Sequence, residues 1–166
     1  MRTYVSLAAL ATALVLLTPS TARADITGFL GATPTSATRP VQGLAVGAGL
    51  LIAGFEFEYA HTNEDLTDPA NLGSELRTFM FNGYVQTPLA IAGIQPYATA
   101  GGGIYRETLS APAFSETSFG TNVGGGAKIK LLGPVRLRLD YRVFNLRGTP
   151  THSTVQRFYA GINLKF

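Results

Sequence analysis

This chain has no cysteine, no tryptophan and only two histidines in 166 residues. Without cysteine there is no disulfide framework and no thiol nucleophile. Thirteen Lys and Arg stand against ten Asp and Glu, and charged residues make up only 14% of the chain. A nucleic-acid binder needs a larger basic excess gathered on one face. Long apolar runs are missing too. The best, Leu7 to Leu17, falls short of the roughly 20 residues a membrane-spanning helix needs.

That short run has another use. Arg2 precedes it, Thr18-Pro19-Ser20 breaks it, and Ala22-Arg23-Ala24 offers a small-x-small cleavage site. Residues 1–24 therefore read as a helical signal peptide, cleaved after Ala24. Residues 25–166 form one mature domain of 142 residues, and losing Arg2 and Arg23 lowers the formal charge from +3 to +1. An exported chain without a spanning helix is periplasmic, secreted or a barrel.

What the mature part has is alternation. Phe158, Ala160, Ile162, Leu164 and Phe166 are apolar, while Arg157, Tyr159, Gly161, Asn163 and Lys165 between them are polar or small. Successive side chains of a strand point to opposite faces, so this segment has one greasy and one wet side. Seven earlier segments follow the same rule: Ile26–Thr33, Gln42–Gly49, Ile52–His61, Leu76–Thr87, Gln95–Glu107, Phe119–Leu131 and Val135–Phe144. In the last of these, Val135, Leu137, Leu139, Tyr141 and Val143 alternate with Arg136, Arg138, Asp140 and Arg142. All 19 glycines lie after residue 24, spread among these strands, where they mark bends and close packing.

The connections alternate as well. Those at Leu50-Leu51, Pro88–Ile94 and Leu132–Pro134 are short, although Pro88–Ile94 nearly matches the first long one. Pro34–Val41, Thr62–Glu75, Thr108–Ser118 and Asn145–Thr154 are longer, and they follow the odd-numbered strands. Outer-membrane barrels pair short periplasmic turns with long external loops in this way. The expected fold is all-β, an eight-stranded antiparallel transmembrane up-and-down barrel.

The terminal strand resembles the C-terminal signal of bacterial outer-membrane barrels, with Gly161, Leu164 and Phe166 at its glycine, hydrophobic and terminal aromatic places. Pro96–Gly103, Val123–Lys128 and Leu139–Arg142, in that order, are similar to stretches of the small barrel family of the OmpA-transmembrane-domain and OmpX kind. The resemblance covers the whole mature chain. It implies an outer-membrane location, contact with lipid and lipopolysaccharide, insertion by the barrel-assembly machinery and a monomer. The absence of tryptophan leaves any aromatic girdle to tyrosine and phenylalanine.

A charge facing lipid near the midplane costs about 2–4 kcal/mol for Arg or Lys, so the charged faces must point inward. Strands three and seven lie opposite each other in a ring of eight. Glu56 and Glu58 stand as far above one short turn as Arg138 and Asp140 stand above another. Glu56, Glu58, Lys128, Arg136, Arg138, Asp140 and Arg142 are thus expected to converge in the lumen, with Arg138 the leading partner of the glutamates. Eight strands leave an interior that side chains just fill, which favours a salt-bridged plug over a diffusion pore.

Some small barrels of this kind modify lipid A with a His and a Ser near the membrane boundary. Here His61 and His152 fall near or in loops, and Ser153, directly after His152, would point the other way. No His-x-Ser spacing, no phosphate-binding glycine loop and no metal-ligand spacing is present, so no catalytic residue, cofactor or metal is expected. Glu64, Asp65, Asp68 and Glu75 make the second long loop acidic, and it reads as a solvated surface. Two functions follow: a structural or surface-interaction barrel, or a narrow solute or ion channel. A lipid A-modifying enzyme comes third.

Overall fold

The computed structural model describes residues 23–35, 38–65, 73–110 and 113–166. Most of the expected signal peptide, and Asp68 of the acidic loop, lie outside them. The described residues form eight strands: β1 (Arg23–Thr33), β2 (Arg39–Leu50), β3 (Ala53–Thr62), β4 (Glu75–Gln86), β5 (Ile94–Leu109), β6 (Phe114–Leu132), β7 (Val135–Leu146) and β8 (Thr154–Lys165). Each pairs antiparallel with its sequence neighbours, and β8 returns to β1 through pairs such as Ile26 with Leu164 and Phe29 with Gly161. Closure removes every open edge, a requirement for any sheet that crosses lipid.

Alternation sets the two faces. Leu30, Phe57, Phe79, Val123 and Phe158 point outward with half or more of their surface exposed. A water-soluble protein rarely shows so broad an apolar band. At about 3.3 Å per residue and a tilt near 40°, the outward positions from Phe119 to Leu131 climb roughly 30 Å, the thickness of a bilayer's hydrocarbon core. Among the described residues no helix is long and apolar enough to cross a membrane; the strands make the crossing.

Three connections differ from the sequence reading. Pro34–Val41 shortens to residues 34–38, because Arg39, Pro40 and Val41 pair with Thr33, Ala32 and Gly31. Thr108–Ser118 is mostly ladder, since β5 and β6 stay paired up to Leu109 and Phe114. This hairpin stands taller than its neighbours. Between β4 and β5 the chain tightens to a two-residue turn, with Ile91 and Ile94 exchanging backbone hydrogen bonds of 2.8 and 3.0 Å. Its central residues, Ala92 and Gly93, have φ of 51° and 83°. Positive φ at both positions matches the right-handed twist of the flanking strands, though alanine is a strained choice for the first.

The glycine run of β6 serves the interior. Gly124 and Gly126 sit opposite Arg142 and Asp140 of β7. A Cβ on Gly124 would come within 2.8 Å of Arg142 Cγ, and one on Gly126 within 2.8 Å of the Tyr97 hydroxyl. Only a bare wall leaves room for those large groups to lie against it.

Candidate functional site: the charged lumen

At mid-height the lumen holds three arginines and three carboxylates. Arg138 spans Glu56 with both terminal nitrogens, one of them 3.1 Å from Oε1, and reaches Asp140 at 3.0 Å. Arg142 lies 2.9 Å from Glu56 and 3.0 Å from Asp140. Its Nη1 is 3.1 Å from Glu58, close enough for ion pairing but not aligned for a hydrogen bond. Arg157 of β8 completes the set at 3.2 Å from Glu58. Two tyrosines stitch the layer. The Tyr97 hydroxyl donates to Asp140 and accepts from Arg138 Nε at 2.8 Å. Tyr159 hydroxyl is 3.2 Å from Glu58 and 2.9 Å from Asp140.

These charges are dry. Arg138 is 2% exposed, and Arg142 and Arg157 are fully buried. Burying an unpaired ion costs several kcal/mol, so a dry cluster persists only when the charges balance and the hydrogen bonds are made. Three against three balances the charge, while Arg142 Nη1 and Arg157 Nε are buried without a hydrogen-bond partner among the described residues.

The structure separates two of the expected members from the rest. Lys128 binds Asp25 at 2.9 Å, below the main layer. It sits directly opposite Arg138 on the adjoining strand, and like charges so placed repel, so each takes its own carboxylate. Arg136 reaches only Gln95, at 2.9 Å. With Asp25, Lys128 and Lys165 it lines a cavity of about 250 Å³ at the short-turn end. Arg157, Asp25, Tyr97 and Tyr159 were not among the expected residues. Arg157 and Tyr159 belong to the polar set of the last strand, and that alternation was the available signal.

Above the ions lies an apolar layer that no single strand announces. Leu76, Met80, Tyr105, Phe144, Leu146 and Val155, from four strands, pack as one buried cluster. The Arg157 guanidinium rests 4.4 Å over the Phe144 ring and joins the two layers. Higher still, side chains tie the long loops together. Glu107 accepts from Ser74 and from the Thr151 backbone, and Glu116 accepts from Thr149. Glu64 accepts from the Ser110 backbone and hydroxyl at 2.9 and 2.6 Å, and these bonds hold its carboxyl below the usual range.

Of the histidines, His61 faces outward and pairs with Glu75 at 3.2 Å. No serine or threonine hydroxyl bonds it among the described residues. His152 lies in the last loop. Among the described residues no cluster of three or more His, Asp or Glu could hold a metal.

Several solved structures share this architecture. The N-terminal β-barrel domain of Pseudomonas aeruginosa OprF aligns with a TM-score of 0.65 at 14% identity, covering 87% of this chain and 97% of that one. Neisserial surface protein A gives 0.62 at 16%, over 87% and 96% of the two chains. Ail, the attachment invasion locus protein of Yersinia pestis, gives 0.56 at 11%, over 87% and 98%. The outer membrane enzyme PagL is similar as well, at 0.53 and 14%, over 84% and 98%. At such identities the likeness shows the fold alone. No curated protein matches the chain. Residues 5–166 match the outer membrane protein beta-barrel domain, and the chain belongs to that family of outer-membrane proteins.

Proposed function

We propose that this protein is a structural, surface-presenting barrel, exported with cleavage after Ala24 and inserted through its last strand. Its lumen is a solid core and its tied loops are the working surface. The observation that carries this reading is the stack inside the barrel. A buried, balanced ion layer lies beneath an apolar layer, and Arg142 and Phe144, one in each, are both fully buried. An ion crossing would have to part both. The basic vestibule at the short-turn end is the one feature that favours a narrow channel instead, and it opens from one side only in this reading.

Planar-bilayer recording decides between the two. The refolded barrel should give no discrete openings at moderate voltage. Steady, ion-selective openings in the wild type would replace this reading with the channel. The non-enzymatic part of the reading rests on the His61–Glu75 pair, to which no serine or threonine hydroxyl bonds among the described residues. A mass shift in lipid A on expression would overturn that part.

A further inference from the structure

The polar lumen absorbs most cations of the strands. Among the described residues four strand cations are exposed: Arg23 and Lys130 at the short-turn rim, and Arg77 and Arg106 on outward positions near the long loops. Arg77 and Arg106 face each other directly across the β4–β5 ladder. His61 opposes Arg77 from the other side. The three form a row just above Tyr59, Phe79 and Ile104, the uppermost outward apolar residues of their strands. The row therefore sits where the apolar band gives way to headgroups, on the loop side, where an outward arginine costs at most about 1 kcal/mol.

Two arginines directly opposed on one face repel each other. Glu75 offsets one of them, with its Oε1 2.5 Å from Arg77 Nε and 3.2 Å from His61. Arg106 has no hydrogen-bond or ion-pair partner among the described residues, and the other nitrogens of Arg77 are not engaged. The site keeps a positive excess, with the Arg106 fork and the two Nη groups of Arg77 about one strand spacing apart. Guanidinium forks at that separation suit the oxygens of a phosphate.

Directly below is an apolar groove of about 460 Å³, walled by Leu44, Tyr59, Phe79, Phe81 and Ile104 and floored at Gly102. Cations above and a groove beneath describe an amphiphile with an anionic head. On the opposite flank the same level carries Asn145, Gln156 and Thr154, which are neutral.

We propose that the β3–β5 flank binds a phosphorylated lipid of the outer leaflet, its phosphate held between Arg77 and Arg106 and its acyl chains in the groove below. This rests on the orientation adopted above, with the long loops outside the cell.

The test is native mass spectrometry of the full barrel refolded in detergent. Probes are bisphosphorylated lipid A, the same lipid with its phosphates removed, and inorganic phosphate. The wild type should retain one bisphosphorylated lipid, and R106Q and R77Q should each lose about tenfold in retention. Q156A, on the far flank, should retain it normally. Heat-modifiability on gels confirms that each variant is folded. Equal retention by wild type and both arginine variants would overturn the proposal. So would equal retention of the dephosphorylated lipid, or binding of inorganic phosphate with no preference for lipid. Orientation is checked separately by labelling S110C on intact cells, which is clean in a chain without cysteine. Failure to label would overturn the orientation. Labelling together with unaltered retention by the variants would overturn the lipid site alone.

Discussion

Arg138 on β7 and Glu56 on β3 meet across the full width of the barrel, 82 residues apart in sequence, with two guanidinium nitrogens on one carboxylate. No backbone pairing links these strands, so the contact reports on the closed barrel as a whole. Removing one member of a buried pair leaves the other uncompensated, at about 3 kcal/mol. Glu56→Gln and Arg138→Gln should each cost about that much in a urea refolding titration. The double variant should be less damaged than the sum of the two. Strictly additive costs would mean that the pair contributes no coupling.

The outward face of β7 should read out depth in the membrane. Leu139→Arg places a charge near the midplane and should cost about 2–4 kcal/mol, with Leu137→Arg similar. Val135→Arg and Val143→Arg, nearer the two interfaces, should cost about 1 kcal/mol or less. A refolding series into lipid vesicles measures all four. Equal penalties would contradict the depth scale drawn from the apolar band.

Phe166 is largely exposed, and its one tie, a backbone N–H bond of 2.8 Å to the Ala24 carbonyl, is lost on cleavage after Ala24. Its ring adds little packing. Deleting Phe166 should therefore leave in-vitro stability near wild type while lowering the amount of folded protein reaching the outer membrane in cells. Normal levels of heat-modifiable protein after the deletion would show that the residue is no assembly signal.

Ala92 carries an avoidable cost. Asparagine tolerates the left-handed region better than alanine, so Ala92→Asn should stabilise the barrel by about 1 kcal/mol. Gly93→Ala should do the opposite, because it adds a second left-handed side chain. Thermal or urea midpoints would reveal both signs.

The eight strands were legible because alternation survives in each one, from Phe55, Phe57 and Tyr59 to the Phe158–Phe166 set. A barrel wall has one lipid face and one interior face along its whole length, so every strand repeats the message. The Arg138–Glu56 contact was legible from matched heights above the turns. Lys128 was not, because heights ignore which neighbour sits beside a charge. Arg138 stands opposite Lys128 and displaces it to Asp25, near the start of β1. The apolar layer was hidden for a different reason. Leu76, Met80, Phe144 and Leu146 lie on inward positions, and a search for alternation treats apolar inward residues as noise. The upper Thr108–Ser118 hairpin was missed because Ser, Thr, Glu and Ala there lack a greasy side; above the membrane a strand no longer needs one.

The placement of the six central charges sets the order in which this molecule can be made. Glu56 and Glu58 arrive with β3, but their arginines come with β7 and β8, after the chain has gone half-way round the ring. Until then the glutamates stay hydrated, and the later arginines have no home in hydrocarbon. A half-built barrel is therefore an open, wet and highly charged object that cannot settle in the bilayer. Drying of the interior, neutralisation and the final β1–β8 seam should therefore coincide, late in insertion.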